Sequence, residues 1–245
     1  MPDRRWLVLR LEAPLLAFGG VTIDHVGITR DFPAQSMLTG LLANALGWER
    51  TEWEKHQALQ DRLVFAARRD RAEESGLLTD MQNARLEKND KGWTTWGVPE
   101  GRDGASYGAP HRRRREYHMD ARVMVALRLE PGPAAPDLDS LAAALERPAR
   151  PLFIGRKPCL PSAPVLWKKF VAAPTAHDVL LSMENGADTR VKRMRAIWPI
   201  GEGPEDGEDV FRIIDLPDLR NWRTGLHGGA RKIVEGIVSA REIAA

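Results

Sequence analysis

From residue 76 to residue 108 the chain offers no pattern that can be packed. The segment is polar, rich in Gly and Asn, and dotted with Trp93, Trp96 and Tyr107. A stretch of that length without helical or strand period is either disordered or a projecting hairpin with a task of its own. Residues 68–81 and 113–129, on its two flanks, can pair as the base of such a hairpin. Any fold for this chain must therefore accommodate a long excursion between two strands.

On either side of the excursion the pattern is that of an α+β sheet. Residues 5–12 (RWLVLRLE) carry Trp6, Leu7, Val8, Leu9 and Leu11 and read as a buried first strand, ended by Pro14 and the Gly19–Gly20 pair. Residues 21–33 read as a loop. Met37, Leu38, Leu41, Leu42, Ala45 and Leu46 recur at helical spacing over 35–47, with Gly47 placed as a C-cap. Residues 48–60 predict a short helix or turn, and 63–69 a strand. The strongest strand is 120–130, with Val123, Val125, Leu127 and Leu129 on one face. Asp137 can cap a helix carrying Leu138, Leu141 and Leu145, which Pro148 stops. Residues 151–164 (PLFIGRKPCLPSAP) read as a strand stub and then a basic Gly/Pro loop. Residues 178–183 and 210–214 are short strand candidates, and 230–243 a closing helix. The order β, α, β, insertion, β, α, β predicts a ferredoxin-like or RRM-like sheet.

The net charge is only +2, but it is segregated. Residues 111–115 read HRRRR and 190–195 read RVKRMR, against GEGPEDGED at 201–209. Such segregation bears on polyanion binding more than the net value does. The one cysteine, Cys159, excludes an internal disulfide, and together with the lack of a secretory leader it points to the cytoplasm. No apolar run reaches the ~18 residues of a membrane span. Gly201-Glu202-Gly203 is no phosphate loop, because five carboxylates surround it. Gly155-Arg156-Lys157 lacks the spacing of a Walker motif. The six histidines are scattered and no cysteine pair exists, so neither a metal nor a cofactor is expected.

Two kinds of chemistry remain. Metal-independent RNA cleavage needs a base, an acid and a cation, which Tyr117, His118, and Lys157 or an arginine of 112–115 could supply by type. Tyr117 and His118 are adjacent in a strand, however, and so are expected to face opposite ways. Binding of single-stranded RNA needs cations for phosphates and flat groups for unstacked bases. Residues 111–118 (HRRRREYH) hold both, and the 155–157 loop adds a flexible backbone with two cations.

Four segments occur together in an order that resembles the CasD family, the fifth CRISPR-associated family in its type I-E form. They are LRLEAPLLAFGG (9–20), TRDFPAQSMLTGLLANALG (29–47), RREYHMDARVMVAL (114–127) and PLFIGRKPCLPSAP (151–164). The resemblance covers about two thirds of the chain and ends after Pro164. It implies an RRM-like palm (1–75 and 113–160), an inserted β-hairpin thumb (76–112) and a small C-terminal β-rich extension (161–245). It further implies a non-catalytic subunit of the Cascade complex. Such a subunit grips the 5′ handle of the CRISPR RNA, touches the CasC backbone and the large subunit CasA, and meets target DNA only through the complex. A related type I-C branch cuts its repeat RNA, so an endoribonuclease is the alternative.

Carried over by position, the resemblance implies RNA contacts at Arg10, Phe18 (a tryptophan in the family), Arg115, Tyr117, Gly155, Arg156 and Lys157. The neighbouring Arg112, Arg113 and Arg114 join them. The family's Arg-Pro-Thr reads Gly27-Ile28-Thr29 here, with Arg30 as the substitute cation. Trp93 and Trp96 in the thumb are expected to meet a partner protein.

Overall fold

The computed structural model describes residues 2–20, 22–23, 25–71, 76–84, 90–93, 99–100, 111–183 and 193–239. The first strand, β1 (Arg4–Leu16), is apolar on both sides, as a central strand must be. It lies antiparallel between β8 (His111–Leu129) and β9 (Leu166–Ala173). β8 in turn pairs antiparallel with β4 (Leu63–Arg71). The helices α1 (Gln35–Ala45) and α2 (Trp53–Arg62) connect β1 to β4, and α3 (Leu138–Glu146) connects β8 to β9. The core strands thus run β4-β8-β1-β9, all neighbours antiparallel.

The sheet continues past β4 through β10 (Arg193–Pro199), β12 (His227–Ser239) and β11 (Val210–Arg220). The last third of the chain therefore extends the same sheet. β9, which falls beyond residue 160, pairs with the first strand.

Alternation along the strands builds two cores. Leu7, Leu9 and Leu11 of β1 and Val123, Val125 and Leu127 of β8 pack against α1, α2 and α3. Trp6 and Val8, with Met124 and Ala126, face the other way and pack under α4 (Ala176–Ser182). Each fully buried side chain of this size contributes about 1.5–3 kcal/mol. Ion pairs lock the second layer. The buried Glu202 carboxylate accepts from Arg4 (2.7 Å), Arg128 (2.6 Å) and the Ala176 amide at the start of α4 (3.1 Å). The buried Arg68 donates to the Leu180 and Met183 carbonyls at the other end of α4.

The excursion leaves the sheet as an antiparallel ribbon. β5 (Leu77–Ala84) pairs with residues 111–118 of β8, and β4 with 122–129, so the flanks do pair. Asp120 between the two zones has φ +46, a left-handed conformation that Asp tolerates better than most residues. β6 (Gly92–Trp93) and β7 (Pro99–Glu100) form a separate short pair. A small hairpin, β2 (Thr22–Ile23) with β3 (Val26–Gly27), lies beside the ribbon base, Gly27 pairing parallel with Arg115.

Three sequence expectations are corrected. Residues 178–182 lie in helix α4, which Thr175 caps by accepting from the Asp178 amide, and Met183 ends it. Of the helix expected at 230–243, residues 230–239 belong to strand β12 and 240–243 lie outside the described residues. The strand's pairs Ile233–Val234 and Ile237–Val238 imitate a helical period, yet β12 hydrogen-bonds on both sides, to β10 and β11. Residues 151–154 form no strand: the Ile154 amide donates to the Cys159 carbonyl within a tight loop.

Candidate nucleic-acid interface

Where β1 ends, the chain turns through Phe18, Gly19 and Gly20. The turn is fixed by the Phe18 amide donating to Thr29 Oγ1 (3.0 Å) and the Arg30 amide donating to the Gly19 carbonyl (3.0 Å). The 153–156 loop docks against it, and Gly155 makes that possible. Gly155 has φ +86, and a Cβ there would lie 1.6 Å from the Ala17 carbonyl oxygen. On the far side the β11–β12 hairpin docks on the start of α1. No side chain of α1 caps its N-terminus; the Gln35 amide donates instead to the buried Asp218 carboxylate of β11 (3.0 Å), which Arg231 pairs.

These pieces enclose a groove of about 710 Å³. Four residues expected from the sequence line it: Phe18, Arg30, Gly155 and Arg156. Their roles differ. Phe18 is buried, its ring 5.4 Å from that of His118. Arg30 donates to the Pro217 carbonyl (2.8 Å), tying the turn to the hairpin. Arg156 lies over the buried Tyr117 ring at 4.8 Å and donates to the carbonyls of Glu116 (2.7 Å) and Gly27 (3.0 Å). Much of its hydrogen-bonding capacity thus holds the fold, while its charge remains at the groove.

Arg115 lies beside Arg156 across Gly27. A Cβ on Gly27 would sit 3.0 Å from Arg115 Nη1 and 3.2 Å from Arg156 Nη2. In the substituted Arg-Pro-Thr position, then, Gly27 leaves space that two guanidinium groups occupy. Arg112, Arg113 and Arg114 are exposed along the ribbon, and Arg114 pairs with Glu116 at 3.2 Å. Strand alternation divides 112 and 114 from 113 and 115, so the four arginines do not share one face. Lys157 is exposed.

Arg10 stands apart, on the sheet face opposite Leu9 and Leu11, 4.4 Å from the Trp167 ring and 3.7 Å from Glu12. Trp93 belongs to β6, and Trp96 lies outside the described residues. Of the alternative set Tyr117, His118 and Lys157, only Lys157 is exposed. Both ring residues are buried, with separate partners: Arg156 for Tyr117, and Phe18 with the Arg30 carbonyl (2.8 Å) for His118. Burial lowers the His118 pKa below the usual histidine value.

The sequence reading missed the third wall. Arg220, Trp222 and Leu226 of the β11–β12 hairpin line the groove. Their signal is the segment NWRTG at 221–225, an aromatic and a cation in a turn closed by glycine.

Fold and groove together define a class: a mixed α/β protein dominated by one largely antiparallel sheet, with an inserted ribbon and a groove walled by guanidinium groups and aromatic rings. The chain belongs to the CRISPR-associated Cas5 family, residues 6–234 matching the family described as CRISPR-associated protein (Cas_Cas5). It is 32% identical to the CRISPR system Cascade subunit CasD of Escherichia coli (strain K12) over 156 residues, 64% of this chain and 67% of that protein. Its fold is similar to a chain of a CRISPR RNA-guided surveillance complex (TM-score 0.67, 21% identity, 96% of this chain and 90% of that one). It is also similar to a Cas protein crystal structure (TM-score 0.58, 23% identity, 96% and 95%).

Proposed function

We propose that this chain is a non-catalytic, CRISPR RNA-binding subunit of a type I-E Cascade complex that caps the 5′ handle. The strands β4-β8-β1-β9 and their helices serve as a ferredoxin-like palm, which moves its end from the expected residue 160 to the end of β9; the 76–112 insertion serves as a thumb, and the strands beyond β9 as the C-terminal extension. The thumb, with Trp93 and Trp96, docks on the CasC backbone, and the complex brings the chain against CasA. Target sequence is read by base pairing to the guide, as in other guided effectors. The chain works in the cytoplasm; among the described residues no helix is long and apolar enough to cross a membrane.

One observation carries this reading: Phe18, Arg30, Gly155 and Arg156, from three distant segments, converge on one groove, with Arg115 beside it. Single-stranded RNA asks for that combination of fixed cations and flat surfaces. Arg30, Arg115 and Lys157 meet phosphates, while Tyr117 and Phe18 support the walls. Arg112, Arg113 and Arg114 follow the strand along the ribbon, and Arg10 adds a contact from the opposite face. The nuclease alternative has no observation in its favour, since His118 would have to leave the Phe18 ring and the Arg30 carbonyl to act.

The test is Arg115→Ala in the full-length chain, with labelled repeat RNA titrated from low to moderate salt. The slope of log affinity against log salt is expected to become shallower by about 0.7, the loss of one phosphate contact to a single strand. Unchanged affinity and slope would remove Arg115 from the site.

A further inference from the structure

The hairpin wall of the groove holds charge that the fold does not neutralise. Arg50, after α1, and Arg220, in β11, point at the same turn. Their Nη2 atoms lie 3.6 and 3.2 Å from where a Cβ on Gly225 would sit. Among the described residues neither has a carboxylate partner, although most arginines of the sheet do. The Arg220 Nε is buried with no hydrogen-bond partner. Burial, and after it the Arg50 charge, lower the Arg220 pKa. Two like charges held this close, one with an unsatisfied buried donor, destabilise the fold unless an anion joins them.

Aromatic rings lie along the same turn. Arg220 lies over Trp222 at 5.3 Å, and Arg223 over Trp53 at 5.7 Å. Trp222 is held in place: its Nε1 donates to Gln60 Oε1 (3.1 Å) and its ring lies 4.7 Å from that of His56. It lines the groove that Gly155 and Arg156 bound on the other side. Fixed aromatic rings beside unpaired guanidinium groups match the alternation of bases and phosphates along an extended strand.

We propose that the 220–225 turn and Arg50 form a second subsite for single-stranded RNA. A backbone phosphate sits between Arg50 and Arg220, and an unstacked base rests in the groove beside Trp222. This rests on the RNA-binding reading above and continues the strand's path from the 155–157 loop across the groove. An acidic protein segment is the competing occupant.

The test compares Arg50→Gln, Arg220→Gln and Arg115→Ala in the full-length chain, with labelled single-stranded repeat RNA. Arg50 is exposed and relieves a like-charge contact when removed, so Arg50→Gln is expected to keep or raise the unfolding midpoint and still flatten the salt slope by about 0.7. The Arg50→Gln/Arg220→Gln double variant should flatten it by no more than about 0.7, because the two guanidinium groups share one phosphate. RNA carrying 5-bromouridine should crosslink to a peptide containing residues 221–226. If Arg115→Ala weakens binding while both glutamine variants match wild type, the subsite is wrong and the RNA-binding reading stands; an acidic protein occupant would give that result. If the wild-type chain binds no RNA, both fall.

Discussion

Gly155 is the residue on which the groove's geometry turns. Its φ of +86 strains any side chain, and the Ala17 carbonyl occupies the space a Cβ needs. Gly201, at φ +79, has nothing within 4 Å and so isolates the strain from the clash. Gly201→Ala should cost about 1–3 kcal/mol. Gly155→Ala should cost more and should also weaken RNA binding, because the loop must withdraw from the β1 turn. Denaturant unfolding of the two variants checks this, and equal costs would show that the loop yields freely. At this scale the sequence located residues better than it located their work. Gly155-Arg156 is legible as a flexible cationic loop, but what Arg156 holds is decided by carbonyls at 27 and 116, far away in sequence. Phe18 is legible as an aromatic, but its burial follows from the 29–30 segment folding back over it.

Among the elements, β1, α1, β4, β8 and α3 stand out in the sequence because their periods and caps agree with their final burial. Asp137 does accept from the Ser140 amide, and Gly47 does close α1 with a positive φ. The misread elements have different causes. β12 is buried on both faces, which erases alternation, and α4, at 7 residues, is shorter than the window over which a helical period can be told from a strand. What fixes α4 is tertiary: Glu202 at its start and Arg68 at its end. Glu202→Gln would leave Arg128, only 8% exposed, without its buried charge partner. A loss of about 3–5 kcal/mol is expected. A much smaller loss would mean that Glu130, which also pairs with Arg128, carries that charge alone.

At the scale of the whole molecule, the sheet order was only half visible. The central β4, β8 and β1 follow from an alternation of elements, but the fourth strand, expected at 151–164, is instead β9 at Leu166–Ala173. The attachment of β10 to β4 does not follow either, since the Ala196–Arg68 and Ile197–Ala67 pairing joins segments that no local pattern links. That attachment brings the β11–β12 hairpin to α1 and completes the groove, so a third of the site lies in the part of the chain with the weakest sequence signal. The central claim is that the completed groove holds guide RNA and does not cut it. The most direct measurement incubates the purified full-length chain with end-labelled repeat RNA in EDTA, crosslinks it, and resolves the products on a denaturing gel. Intact RNA crosslinked through the 5′ handle is the predicted result. Discrete cleavage that disappears in His118→Ala would contradict the non-catalytic role, and intact RNA with no crosslink would contradict RNA binding itself.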